Sequence, residues 1–152
     1  MLFLVLEPEI TMFTLISSDN EEIRVDRKLL EYGTNMFDHY LNQFPDISSW
    51  EPPFTAKIIS EVISNLKTPY SAVITQPETF ELHDYLGSII VPQFIIYEGS
   101  VVELLKYQEN FKSGFFIEYL EVTHDDRVSG LLRRYIEKNP QSTFAGITHR
   151  WV

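Results

Sequence analysis

The chain has 152 residues, 44% hydrophobic and 14% aromatic, enough apolar material for the core of one ordinary domain and too much for global disorder. Twenty-two acidic residues face 12 basic ones, and a formal net charge of −10 makes nucleic acid a poor default partner because phosphate backbones are repelled. Cysteine is absent, which removes disulfides, thiolate metal sites and cysteine nucleophiles.

The opening MLFLVLEP is apolar for only six residues before Glu7, without a basic leader or a small-residue cleavage site. It reads as an extra edge strand, or one exchanged with a partner, and not as a signal peptide. No run of about 18 apolar residues occurs, so no membrane span is expected. Together with the missing cysteines this points to an intracellular protein, in cytoplasm or nucleus.

Residues 10–17, ITMFTLIS, predict a strand buried on both faces. Ser18, Asp19 and Asn20 form a turn cluster, and Ile23 and Val25 alternate with Arg24, which predicts a β-hairpin. Asp26 is placed to cap a short helix carrying Leu29 and Leu30, and Gly33 to end it in a left-handed conformation. Thr34 then caps a second helix whose Met36, Phe37, Tyr40 and Leu41 share a face, with Asp38 near its positive end. A loop follows, with a short strand near Trp50.

Thr55 opens the clearest helix: Ile59, Val62, Ile63 and Leu66 stand at i, i+3, i+4 and i+7, and Pro69 lies beyond its end. Residues 70–75 predict a short strand. Pro77 suits the first turn of a helix carrying Phe80, Leu82, Tyr85 and Leu86, with Gly87 at its end. SIIVPQFIIY reads equally as strand or helix. After residue 98 the pattern becomes amphipathic: VVELLKYQENF and VSGLLRRYIEKN predict helices, GFFIEYLEV between them is ambiguous, and the residues after Pro140 read as a tail. Charge changes there too. Residues 1–97 hold 14 acidic and 5 basic residues, whereas residues 98–152 hold 8 and 7.

The residue patterns carry little chemistry. His39, His83, His124 and His149 form no metal-binding spacing, so surface or partly satisfied histidines are expected. Asp125 and Asp126 read as a helix N-terminal charge cluster. Arg133, Arg134 and Lys138 are the only basic cluster and read as a solvated helix face. No nucleophile elbow, phosphate loop or dinucleotide fingerprint occurs. No catalytic residue, metal or cofactor is expected; an unrecognised active site around His39 or His83 is the remote rival. The aromatic richness points instead to binding. Phe44, Trp50 and Tyr70 lie in predicted loops around the central helix and are the candidate partner-binding residues, with core closure as the alternative for each.

The order of these elements and several residues resemble the BTB/POZ superfamily, with features of its elongin-C and Skp-type relatives. The family pattern F-x-V-H-K-x-x-L-x-x-x-S-x-x-F-x-x-x-F is met without a gap by Ile23, Val25, Asp26, Arg27, Leu30, Thr34, Phe37 and Leu41. LISSDNEEIRVDRKLL is similar to the relatives' L-x-S-S-D-G-x-x-F-x-V. ISNLKTPYSAVIT (63–75) resembles the third helix and following strand, and LHDYLG (82–87) resembles the A-A-D-Y-L-G helix. The likeness covers residues 10–97. Asp26 replaces the commonest histidine, Lys67-Thr68-Pro69-Tyr70 blurs the usual Y-T-G, and SIIVP carries two extra residues.

The resemblance implies an α+β fold: a small β-sheet flanked by a cluster of α-helices in a BTB/POZ-like domain (1–97), followed by a helical C-terminal extension (98–152). It implies a non-enzymatic protein–protein interaction scaffold that self-associates as a homodimer or oligomer, or serves as an adaptor to a cullin-type ubiquitin ligase. The surface near Phe44 and Tyr70 would meet the cullin-type scaffold. A decoy that occupies an adaptor surface without recruiting substrate is the alternative, since the chain carries no substrate-recognition domain.

Overall fold

The structure is a computed structural model describing residues 11–110 and 113–147. The fold is mixed α and β: seven α-helices, a three-stranded sheet and a two-stranded sheet among the described residues. The proposed edge strand at residues 1–8 lies outside them.

The hairpin forms as the alternation predicts. Strands β1 (Met12–Ile16) and β2 (Glu22–Asp26) pair antiparallel, with Phe13 opposite Val25 and Leu15 opposite Ile23. These four point towards the core side, where Phe13, Leu15 and Val25 are buried. The expectation that β1 is buried on both faces is corrected: Met12 is exposed, and Thr14 and Ile16 are only half-buried. Asn20 takes the left-handed conformation at the turn, φ 62°, which its short polar side chain tolerates.

Helices α1 (Arg27–Gly33) and α2 (Asn35–Gln43) follow directly. The Asp26 carboxylate accepts from the Lys28 N–H at 2.9 Å. Thr34 alone joins the two helices. Its hydroxyl donates to the Leu30 carbonyl at 2.8 Å and accepts from the Phe37 N–H at 3.1 Å, so one side chain closes α1 and opens α2. Gly33 plays a different part from the expected one. It has no positive φ; Thr34, extended, ends the helix. A Cβ at Gly33 would stand 3.3 Å from Leu66 Cδ2, so glycine lets α1 approach the central helix.

After α2 the chain returns as β3 (Ser49–Trp50), parallel to β1, giving the sheet order β2-β1-β3. Helices α1 and α2 form the crossover that parallel pairing requires. Helix α3 (Ala56–Lys67) buries Ile59, Val62, Ile63 and Leu66 as its spacing predicts. Thr55 has the N-cap backbone position but no capping side-chain bond; the Ala56 N–H instead donates to Asp19 of the hairpin turn at 3.0 Å. That bond and one from Ser17 hold the Asp19 carboxyl below its ordinary pKa, the Ser17 bond contributing most.

Strand β4 (Val73–Ile74) leads to helix α4 (Pro77–Leu86), which Gly87 ends in the left-handed conformation, φ 61°. The ambiguous stretch resolves into a 3₁₀ turn (Pro92–Phe94) and a strand β5 (Ile96–Tyr97) parallel to β4. Helices α5 (Val101–Gln108), α6 (Gly114–Val122) and α7 (Asp126–Lys138) complete the chain. Ambiguous GFFIEYLEV is thus helical, with Phe116, Tyr119 and Leu120 facing inward and the Ser113 hydroxyl capping it.

One cluster of buried side chains runs from Phe13 to Phe144 and includes Val101, Leu104, Phe116 and Val128. Phe80 of α4 is its aromatic hub, with ring centroids 5.1 Å from Phe116 and 5.0 Å from Tyr119. Much of the aromatic richness therefore fills the interior. Residues 141–147, expected as part of a tail, pack on the domain. Phe144 is fully buried, edge-on to Phe116 at 5.7 Å, and the Glu109 carboxylate accepts from the Ser142 hydroxyl and the Thr143 N–H. An apolar side chain four residues beyond a helix-stopping proline carries no periodicity, which is why its packing escapes a pattern-based reading.

Candidate interaction surface

A buried polar node lies under the segment spanning residues 88–97. The Asn65 Oδ1 accepts from the Val73 N–H at 3.1 Å, which fixes its amide and turns Nδ2 towards His83 Nε2 at 3.2 Å. Nε2 is then an acceptor, so the proton sits on Nδ1, which donates to the Ser88 hydroxyl at 2.8 Å. In this tautomer the ring cannot take a proton from Ser88, so the pair is a structural clamp and not an activated nucleophile. Burial lowers the His83 pKa to about 3. Expected at the surface or partly satisfied, His83 is instead fully buried and bonded through both nitrogens.

The node ties three elements together: Asn65 on α3, His83 on α4 and the N–H of β4. It also covers an edge. Ala72 and Ile74 bond to β5, through the Ile96 and Glu98 N–H groups, so Val73 and Thr75 point the other way. Their N–H groups are met by Asn65 and by the Glu61 carboxylate at 2.8 Å. Side chains of α3 thus stand in for a missing strand. On the β5 side, the Arg127 guanidinium donates to the Tyr97 carbonyl.

Held this way, the segment 88–97 is stitched to both neighbours. The Ile89 N–H donates to the Gly33 carbonyl at 2.9 Å, beside Tyr32 at the end of α1, and the Val91 N–H donates to the Pro69 carbonyl at 3.0 Å, beside Tyr70. Gly87 permits the entry: a Cβ there would stand 3.1 Å from the Asn35 Cβ. Inward, Ile90, Ile95 and Tyr97 are buried; outward, Ile89, Phe94 and Ile96 are 45–55% exposed. Tyr32 and Tyr70, above 70% exposed, flank them, with the Tyr70 and Phe94 rings 6.4 Å apart. Residues 85–97 contain no charged side chain, in a chain that is 22% charged. Large apolar groups without charge are what a protein interface places at its centre.

The candidate residues fall at different places. Tyr70 belongs to this strip. Phe44, half-exposed, caps α2 and packs on Tyr40 at 5.3 Å. Trp50 is half-buried: its ring is edge-on to the core residue Phe37 at 5.4 Å and stacked on the exposed Tyr85 at 5.8 Å and 6°. Tyr32, Ile89, Phe94 and Ile96 were absent from the sequence-based candidates. The uncharged run at 85–97 was the available signal, but it does not say which side chains face outward.

His39 is exposed on α2, and His124 lies within 3.1 Å of Gln93. His149 lies outside the described residues. Asp125 caps α7 through the Arg127 N–H at 3.0 Å. Among the described residues no group of three or more His, Cys, Asp or Glu side chains is placed to hold a metal ion. No helix among them is long and apolar enough to cross a membrane. No family model, no curated protein and no solved structure matches the chain.

Proposed function

We propose that the chain is a non-enzymatic, BTB/POZ-like interaction scaffold that self-associates, engages a cullin-type scaffold protein, or does both. Two features support this reading. The chain runs as a β-hairpin, a helix hairpin joined at Thr34, a central helix, a short strand and a further helix, the order that the resemblance implies. The observation that carries the proposal is the uncharged strip of Ile89, Phe94 and Ile96 flanked by Tyr32 and Tyr70. Tyrosine and phenylalanine combine large contact area with few rotatable bonds and serve as anchors at protein interfaces. The acidic remainder of residues 1–97 sets partner preference at the rim by excluding acidic competitors.

The test is light scattering of the purified chain across micromolar concentrations, alongside pull-down of purified cullin-type proteins. The doubly substituted Tyr70→Glu/Phe94→Glu chain is compared in both. Both side chains are exposed, so the melting temperature should stay within a few degrees while association weakens by about tenfold or more. A wild-type monomer that retains no such partner, or a double variant that associates as well as wild type, would overturn the proposal.

A further inference from the structure

We infer that the groove between α5 and α7 is a second docking site, for an acidic amphipathic helix of another protein. It involves none of the residues of the first surface. The apolar lining of its floor is Val102 of α5, with Leu131 and the Tyr135 ring of α7, the Tyr135 hydroxyl being held at one end by the Glu109 carboxylate. Its walls are cationic: Lys106 on α5, with Arg134 and Lys138 on α7. The volume is about 400 Å³. The spacing follows from helical geometry. Val102 and Lys106 are four apart, as are Leu131 and Tyr135, and Arg134 and Lys138 stand four apart beside them.

Charge identifies the occupant. In a chain with 22 acidic and 12 basic residues, the groove is lined by three cations and no acidic side chain. Among the described residues Arg134 and Lys138 make no ion pair within 4.0 Å. Lys106 has only Glu103, at 3.9 Å and largely exposed on both sides, a pairing too solvated to hold against an incoming carboxylate. Lys106 and Lys138 also offset the negative ends of their own helices. That role explains neither Arg134, one turn earlier, nor the exposed Val102 beside it.

Shape points the same way. Two packed helices present a groove into which the ridge of a third helix fits. Apolar side chains of the occupant, three and four apart, would lie on Val102, Leu131 and Tyr135. Its Glu or Asp residues would meet Lys106, Arg134 and Lys138. A nucleic acid would leave the apolar floor unused and meet the field of the remaining chain, net −10.

The test uses synthetic peptides of about four helical turns, with leucines at i, i+3, i+4 and i+7 flanked either by Glu or, in the control, by Lys. Each is titrated into the full chain with amide and methyl NMR shifts as the readout. The Glu peptide should move the Val102, Leu131 and Tyr135 resonances, and the Lys peptide should bind about tenfold more weakly or not at all. Arg134→Glu/Lys138→Glu should weaken the Glu peptide by about tenfold or more and reverse the preference; both side chains are exposed, and circular dichroism confirms the fold. Val102→Glu should weaken it through the floor. The inference is overturned by equal binding of the two peptides, by shifts elsewhere on the chain, by no binding at millimolar peptide, or by a duplex oligonucleotide shifting the same resonances at lower concentration. Loss of the first surface in Tyr70→Glu/Phe94→Glu leaves this titration unchanged, so the two proposals fail separately.

Discussion

At the scale of single residues, His83 shows how burial converts a titratable group into a structural one. Its two nitrogens are matched to Asn65 and Ser88, and its ring lies 5.7 Å from Phe115. A proton added to Nε2 would face the Asn65 donor. The native pKa of about 3 lies below the ordinary 6.5, so between those values the unfolded chain binds a proton that the native chain refuses. Stability is therefore whole above pH 6.5 and falls as pH drops towards 3, with a slope of about 1.4 kcal/mol per pH unit from this residue. Urea unfolding at pH 7, 5 and 4 measures it. His83→Gln should be less stable at pH 7 yet show a shallower pH dependence, because the acidic residues contribute to both chains alike. Equal slopes would mean that His83 is accessible to protons in the native state.

At the scale of elements, the parallel pair β4–β5 is too short to hold itself together. Each strand has two residues, and its stability comes from side chains that cover both edges: Asn65 and Glu61 from α3, and Arg127 from α7. Asn65→Ala leaves the Val73 N–H and His83 Nε2 without partners and should cost about 2–4 kcal/mol. It should also raise hydrogen exchange across residues 73–75 and 96–98 more than across β1 and β2. Uniform exchange throughout the chain would show that the node holds no local element. The elements themselves were unevenly legible. The hairpin, the Thr34 hinge and α3 follow from alternation, capping residues and the i, i+3, i+4 pattern. β5 does not, because an uninterrupted apolar run has no period. Nor does the role of Gly33, which depends on how closely α3 approaches.

At the scale of the whole molecule, the later helices share the interior of the earlier elements. Phe80 of α4 meets Phe116 and Tyr119 of α6, and Phe116 in turn meets Phe144. Residues 98–110 and 113–147 therefore contribute directly to the core that supports the candidate surface. Phe144→Ala should destabilise the chain by about 3–5 kcal/mol, the range for emptying a buried aromatic site, as read by chemical denaturation. A change below about 1 kcal/mol would place it among ordinary surface substitutions and return this segment to the status of a tail. The uncharged strip at 89–96 and the groove lined by Lys106, Arg134 and Lys138 lie on this one packed body.

The sequence by itself determined whatever is local or periodic: the strand alternation, the caps at Asp26 and Thr34, the apolar face of α3, the helix stop at Gly87 and the acidic balance. These depend on neighbours within a few positions, where backbone geometry repeats. Only the tertiary structure decided which aromatics are core and which are surface. Trp50 packs edge-on to the buried Phe37 on one side and stacks on the exposed Tyr85 on the other, while Tyr70 stays out beside Phe94. It also decided that His83 is sealed and Phe144 anchored. Burial is set by residues far apart along the chain, and an uncharged segment such as 85–97 carries no mark of which side chains will find a partner.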